Sequence, residues 1–442
     1  TGPQSAASVN ATLQATEGGI FPAIYTLLAW DIVWNEGIFK CVDIVAPEAS
    51  LVNCARPAAT SCASVGIITM LNSLGTNAVA KMVGATESLS DRATGDWLGV
   101  HTWAGIHGRL PDGTYSVSLG TESFSGAGGA RPFKDGIDNG GDLCCLTASS
   151  SNIEHCEAAF PMMYLFRRPV PDSGGPGKYR GGCSHDWAAI THGSPDGKFS
   201  LLAMPGCGVH VPPCSGVFGG LPGATASYTQ FRAGNGREYP AQLENCRGEH
   251  EEHISFGATE IAEGDILYVR HGGGGGYGDP LDRDPELVLR DILDGLVTVE
   301  PARDIYGVVV DPDAETVDAD ATRELRARLR TERLGGEEPA FKGERRDDIP
   351  EARRKIGEYL QVSENGGKPA VECTYCGHEI ARESSWKDSV PRRRVPVTAA
   401  GPARADHPDF AIWQFFCPSC ATQLDVDIAY KDDPPLNDEF SL

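Results

Sequence analysis

Two pairs of cysteines carry the most specific chemistry in this sequence. Cys373 and Cys376 are two residues apart, Cys417 and Cys420 likewise, and forty residues lie between the pairs. Four thiolates at this spacing can meet at the corners of a tetrahedron around Zn²⁺, whose softness suits sulfur. Gly377 follows the first pair, and Pro418 and Ser419 sit inside the second, supplying the tight turns that such knuckles need. Four sulfurs close the coordination sphere and leave no place for a reacting water, so the expected role of the metal is structural. His378 stands near the first pair and is expected to be solvated or to lie outside the ligand set.

The second constellation is made of backbone. His271–Pro280 reads HGGGGGYGDP, and glycine is the most costly ordinary residue to order, so five in a row call for a backbone reason. Gly273, Gly275 and Gly278 match G-x-G-x-x-G in form. However, Asp279-Pro280 and four more residues separate that turn from the next helix, which argues against a dinucleotide fingerprint. No Lys-Ser/Thr follows, so a Walker loop is excluded. The expectation is a loop pressed against another segment, extended or turning, with several residues at positive φ.

A second glycine-rich block, Asp172–Gly182 (DSGGPGKYRGG), sets backbone N–H groups beside polar side chains. Lys178 and Arg180 are candidates for holding a phosphate or carboxylate, and Asp172 and Ser173 are candidate catalytic groups. Asn35 and Glu36, at the break after an apolar run, and Asn53 are further candidates, with a turn-forming role standing beside each. His250 and His253, flanked by Glu249, Glu251 and Glu252, form the closest histidine pair and read as a metal site or an exposed charged turn. There is no HExxH motif and no G-x-S-x-G elbow.

The elements that must position these groups are short and mixed. Asp265–Arg270 reads as a strand entering the glycine run, and Pro285–Asp294 as a helix capped by Asp284 and stopped at Gly295. Phe21–Trp34 reads as a buried helix, Phe39–Val45 as a strand, and Ala63–Leu89 as one or two packed helices. Short strands such as Thr114–Leu119, Ala159–Arg167, Phe199–Met204 and Tyr306–Val310 alternate with glycine-rich loops. Asp320 caps an expected helix over Ala321–Glu332, and Glu351–Leu360 reads as another short one. Trp413–Phe416 and Leu424–Ala429 flank the second knuckle as strands. The expected fold is therefore α+β: a β-rich domain with packed helices over 1–335, a charged linker over 336–364, and a small zinc-ribbon-like domain over 365–442.

Net charge is −23 with a pI near 4.8, a surface that repels nucleic acid and anionic lipid, so neither is an expected partner. The exception is the basic group Lys387, Arg392, Arg393, Arg394 and Arg404 between the knuckles. No apolar run approaches the roughly twenty residues that span a bilayer, and the N-terminus lacks signal-peptide features. A cytoplasmic location is expected, with the fourteen scattered cysteines reduced. The chain starts without Met and in mid-pattern, as the C-terminal part of a longer subunit would.

Several blocks together resemble the hydantoinase B family: Asn35–Gly37 (NEG), Pro47–Asn53 (PEASLVN), Phe133–Gly141 (FKDGIDNGG), DSGGPGKYRGG, and HGGGGGYGDP with the segment after it. The resemblance runs from residue 1 to about 335 and takes in the large subunits of acetone and acetophenone carboxylases. The tail, ECTYCGHEI to CPSCATQLDVDIAY, is similar to the small zinc-bearing gamma subunit of acetone carboxylases. It implies a subunit, inactive alone, of an ATP-dependent carboxylase that makes a β-keto acid from a ketone and bicarbonate through phosphorylated intermediates. It also implies that ATP, with Mg²⁺ or Mn²⁺, binds a companion hydantoinase A-type ATPase subunit of actin-like fold, another carboxylase subunit, or a missing N-terminal portion. The same family admits an amidohydrolase subunit for a hydantoin, a lactam or 5-oxoproline, or a non-catalytic assembly subunit. Within it, Asn152 and Glu154 occupy a loop that is glycine-rich in relatives. Here Ser149–Ser151 replace those glycines, which gives the assembly reading weight beside the carboxylase one.

Overall fold

Alternating apolar residues build two antiparallel sheets that share one core. In this computed structural model the described residues are 1–63, 66–97, 103–118, 126–141, 143, 151–204, 208–233, 240–246, 248–252, 257–343, 354–365, 368–382 and 385–436. The five-stranded sheet runs, in spatial order, Met162–Pro169, His185–Thr191, Ile266–Arg270, Ser227–Ala233 and Gly248–Glu252. The four-stranded sheet runs Tyr115–Ser118, Trp103–Arg109, Lys198–Met204 and Gly257–Ala262. Met162, Tyr164, Trp187, Tyr228, Leu267 and Val269 of the first sheet meet Ile106, Phe199, Leu201 and Ile261 of the second. Ala188, Ile266 and Tyr268 on its other face are buried too, in a separate cluster. A strand covered on both faces explains why Ile266–Val269 is apolar without alternation.

Six helices among the described residues surround this sandwich: α1 (Leu13–Leu28), α2 (Ile67–Gly84), α3 (Ile153–Ala159), α4 (Pro285–Leu293), α5 (Val299–Asp304) and α6 (Ala319–Arg333). α1 starts well before the apolar run that suggested it, because Thr12 accepts the Ala15 N–H as N-cap. It stops at Leu28, and Trp30, Ile32, Val33 and Trp34 are exposed. The strand expected over Phe39–Val45 is instead a 3₁₀ turn over Glu36–Cys41. α4 follows its expected Asp284 cap, whereas α6 begins two residues earlier than expected, on Asp318 rather than Asp320.

The glycine run lies at the centre of a second kind of layer. His271–Pro280 is buried throughout, and its amides donate in directions that repeat every third residue. Gly273 and Gly276 donate to Ala224 O and Leu221 O (3.2 and 3.0 Å), and Gly274 and Tyr277 to Gly182 O and Tyr179 O (3.1 and 3.0 Å). Gly275 donates to Asp96 O at 2.9 Å. In return Gly274 O accepts from Gly175, Gly275 O from Ala130, and Gly276 O from Val217. A period of three with every bond made to a neighbouring segment is the habit of a polyproline II-like helix. Only Gly278 in the run has positive φ (75°), contrary to the several expected. The glycines are needed for lateral approach rather than for left-handed turns. A Cβ on Gly273 would lie 1.8 Å from Ser173 O, and one on Gly275 1.9 Å from Ser215 O.

The run opens on a buried imidazole. His271 stacks on His185 with ring centroids 4.4 Å apart, and Trp187 Nε1 donates to His271 Nε2 at 3.3 Å. Burial, with His185 adding to it, holds the His271 pKa well below 6.5.

The C-terminal unit has two small sheets, Arg354–Lys355, Leu360–Asn365, Lys368–Cys373 and Glu379–Ala381 in one, and Arg392–Val395, Phe410–Phe416 and Gln423–Tyr430 in the other. The boundary expected at 365 falls inside a hairpin, since Leu360 pairs with Cys373 and Asn365 with Lys368. Sheet structure therefore starts at Arg354, within the stretch expected as linker, where Arg354 and Lys355 are strand rather than helix. The rest of 344–353 lies outside the described residues.

Two stability outcomes follow. Gly275→Ala should destabilise by about 3 kcal/mol or more, because backbone on the far side cannot yield. Gly18→Ala, in the exposed part of α1 with nothing within 4 Å of a new Cβ, should stabilise by up to about 1 kcal/mol. Urea denaturation of both variants checks the pair. For His271, the unfolded chain takes up a proton first as pH falls below 6.5, so stability present above that pH is lost below it. Between pH 7 and 5 the wild type should lose stability relative to His271→Gln with a slope approaching about 1.4 kcal/mol per pH unit.

Candidate functional site

The four cysteines predicted as ligands converge. Their Sγ atoms all lie within 4.8 Å of one another, with Cys373–Cys420 at 3.8 Å and Cys376–Cys417 at 3.7 Å. A tetrahedron with metal–sulfur bonds of about 2.3 Å has edges of about 3.8 Å, so the donor set fits Zn²⁺. The two knuckles share one hydrogen-bond plan. Gly377 N–H donates to Cys373 O and Cys373 N–H to His378 O (2.8 and 2.9 Å), while Ala421 N–H donates to Cys417 O and Cys417 N–H to Thr422 O (both 2.9 Å). Each ends on a left-handed residue, Gly377 at φ 74° and Ala421 at φ 59°. His378 is exposed and is not in the cluster. The other described cysteines are free of disulfides.

This unit is fastened to the glycine lattice by buried polar groups. Asp279, at the end of the run, accepts from both Nη atoms of Arg333 (2.6 and 2.8 Å) and from Gln423 N–H (2.9 Å), three residues past Cys420. Burial opposes its charge, but Arg333 and the Gln423 N–H hold Asp279 below the ordinary carboxylate range. Glu358 accepts from Lys178 at 2.8 Å and from the Tyr277 hydroxyl at 3.2 Å. Arg404 is buried and donates to the carbonyls of Asp172, Gly174 and Pro222 in the lattice. Burial pulls its pKa down to about 10. Phe218, at φ 52°, is wedged between Gly84 of α2 and Gly357 of the C-terminal unit. A third charged cluster joins Lys387 to Asp425 (3.0 Å) and Asp427 (2.8 Å), with Lys81 of α2 3.4 Å from Asp425. Burial and the neighbouring Asp425 push Asp427 up to about 6.

The other predicted residues are not assembled into one site. Lys178 is paired with Glu358, as above. Arg180 is buried between Asp138 (2.9 Å) and Asp291 (3.4 Å), and Asp291 also meets Arg283, which in turn holds Asp135. Against burial, Arg283 and Arg180 keep Asp135 below its usual range, whereas burial lifts Asp291 above it. Asp172, at φ 59°, accepts from the Thr298 N–H and hydroxyl (2.9 and 2.7 Å). Ser173 Oγ donates to Val170 O and accepts from Ser184 N–H. Asn35 caps the 3₁₀ turn with Glu36 exposed in its first turn. Glu154 is exposed in the first turn of α3 under the Asn152 cap. Among the described residues none of Asn35, Glu36 and Glu154 bonds to Asp172, Ser173, Lys178 or Arg180. Of the loop around Ser149–Ser151, only Ser151 is among the described residues, and His253 lies outside them. Sequence reading missed Asp279, Arg333 and Glu358, and read Arg404 only as one of a basic group, whereas it is buried on lattice carbonyls. Only Asp279-Pro280 carried a local signal, that of a cap, and Asp279 does accept the Leu281 N–H.

No helix among the described residues is long and apolar enough to cross a membrane. The acetophenone carboxylase delta subunit of Aromatoleum aromaticum is 30% identical over 347 residues, 74% of this chain and 50% of the relative. The caprolactamase subunit beta of Pseudomonas jessenii is 28% identical over 333 residues, 74% of this chain and 53% of the relative. A solved nucleotide-free structure of acetone carboxylase superposes with a TM-score of 0.68 at 22% identity, covering 79% of this chain and 47% of the other, a likeness of fold. The chain spans about half the length of these curated relatives. The hydantoinase B/oxoprolinase profile matches residues 1–280, well over half of the sequence and including the whole glycine lattice, and the chain belongs to the hydantoinase B/oxoprolinase family.

Proposed function

We propose that this chain is a subunit of an ATP-dependent ketone carboxylase, joining a ketone and bicarbonate into a β-keto acid through phosphorylated intermediates. The observation that carries the reading is the 30% identity to an acetophenone carboxylase subunit over 74% of the chain. In this reading ATP and its divalent metal bind elsewhere in a multisubunit complex, on a hydantoinase A-type ATPase subunit of actin-like fold. Every amide of Gly273–Gly276 donates to a carbonyl of this chain, so none of those four is available to a phosphate. Zn²⁺ held by Cys373, Cys376, Cys417 and Cys420 would supply a closed, four-thiolate crosslink rather than a reactive water.

The caprolactamase match, of nearly equal reach, supports a second reading as an ATP-dependent amidohydrolase subunit. Reconstitution with the companion subunits separates the two. Ketone-dependent ATP hydrolysis with incorporation of radiolabelled bicarbonate into acetophenone or acetone supports the carboxylase. Ring opening of caprolactam, hydantoin or 5-oxoproline without fixation transfers the assignment. Activity that survives omission of this chain would leave it an assembly role.

For the metal, the expected result is one Zn²⁺ per chain with Zn–S distances of about 2.3 Å by X-ray absorption. Cys373→Ser should lower metal occupancy and denaturation midpoint together. Full occupancy in that variant would remove Cys373 from the ligand set.

A further inference from the structure

We propose that the cavity between α6 and the first cysteine knuckle binds a small phosphate ester with an apolar body, gripped by Arg326 and Arg330. The cavity has a volume of about 1160 Å³, room for a ligand of drug or nucleotide size. It lies beside the turn that leaves the glycine run, with Asp282 on one wall and Tyr375 and Cys420 of the knuckles on another. The site stands on these elements alone and does not depend on the carboxylase reading.

The charge balance of its arginines points to an anion. Arg326 and Arg330 sit one turn apart on α6 and both line the cavity. Arg326 Nε donates to Tyr306 O at 3.2 Å and Nη2 to Arg283 O at 2.6 Å. Among the described residues, no acceptor bonds its Nη1 and no carboxylate forms an ion pair with it. Burial, with neighbouring Arg330 adding to it, holds its pKa below the ordinary arginine range although Asp282, Asp279 and Asp284 act the other way. By contrast, buried Arg180, Arg283 and Arg333 each have a carboxylate at 3.4 Å or less. Arg404 lacks one, but its two Nη atoms reach three carbonyls. Arg330 gives one Nη to Asp282 at 3.1 Å and lies over the Tyr375 ring, 5.6 Å from its centre.

A phosphate dianion suits this pair better than a carboxylate. One guanidinium is bonded only to carbonyls among the described residues and the other gives one Nη to a carboxylate, and phosphate offers charge and oxygens enough for both. Among charged residues that include Glu286 and Glu338, the lining also carries apolar surface: Leu281, Val317, and Phe341 against Tyr375, whose rings stand edge to face at 6.3 Å. An inorganic ion would leave that surface bare, whereas an ester with a ring or short alkyl group would cover it.

Phenyl phosphate is the probe, titrated calorimetrically into the zinc-loaded full chain, with benzoate and phenol as arms that lack the phosphate or the charge. One site per chain is expected, with phenyl phosphate at least tenfold tighter than benzoate and phenol silent. Arg326→Gln should weaken phenyl phosphate at least tenfold, and Arg326→Lys should recover part of the loss. Because Arg326 also bonds two carbonyls, Ala327→Trp provides the control: it fills the cavity from an exposed position of α6 and leaves those bonds intact. It should abolish binding while zinc content and the melting temperature without ligand stay unchanged. Equal affinity in wild type, Arg326→Gln and Ala327→Trp, benzoate binding as tightly as phenyl phosphate, or no binding by the wild type would overturn the proposal.

Discussion

The constraint on which the structure depends is hydrogen bonding of a buried backbone that belongs to no sheet. An extended segment has no bonds of its own, so each amide buried with it must find a carbonyl on a neighbour. The run Gly273–Gly276 meets this demand by donating by turns to three segments, around Asp96, Gly182 and Leu221–Ala224. Those segments approach so closely that side chains are excluded on both sides. Gly128, Gly175, Gly181, Gly220 and Gly223 are glycine for the same reason, since each would place a Cβ within 3.0 Å of backbone. The glycine content of the family blocks is thus a packing requirement, and it ties residues nearly two hundred positions apart into one unit.

The C-terminal unit is a continuation of that constraint rather than an appendage. Asp279 closes the run and is met at once by Arg333 of α6 and by the strand that leaves the second knuckle. Buried ion pairs contribute little net stability, yet removing one partner is strongly destabilising, so such contacts specify geometry. With Arg404 inserted among lattice carbonyls and Glu358 bridging Lys178 to Tyr277, the knuckles and the lattice share one set of positions.

What the sequence made legible was local. The cysteine spacing, the strand before the glycine run, and the helix after it with its Asp284 cap are all set by neighbours within a few residues. What it hid was long-range. Nothing near Lys178 announces that Glu358, 180 residues on, will neutralise it, and nothing near Arg180 announces Asp291. A lysine and an arginine in a glycine-rich loop therefore read as anion ligands, although the fold uses both to hold itself together. The hairpin across residue 365 was hidden for another reason: Leu360–Asn365 and Lys368–Cys373 are the inner strands of their sheet, yet polar and charged residues interrupt the apolar pattern of both. The cavity on α6 was hidden too, because a strongly charged helix with few apolar residues gives no local sign of a pocket.

The lattice also dictates an order of events during synthesis. Its segments come from positions near 96, 128, 175–182, 215–224 and 272–278, and the amides of Ala130, Gly175, Lys178, Tyr179 and Val217 donate into the last of these, so they lack their acceptors until it has been made. Local helices such as α1 and α2 pair early, but the centre is a contact of high sequence separation and closes late. Arg404 and Gln423, which complete it, arrive later still. Until then a long glycine-rich chain waits with unpaired amides, and a nascent chain in that condition is a client for chaperones rather than a finished domain.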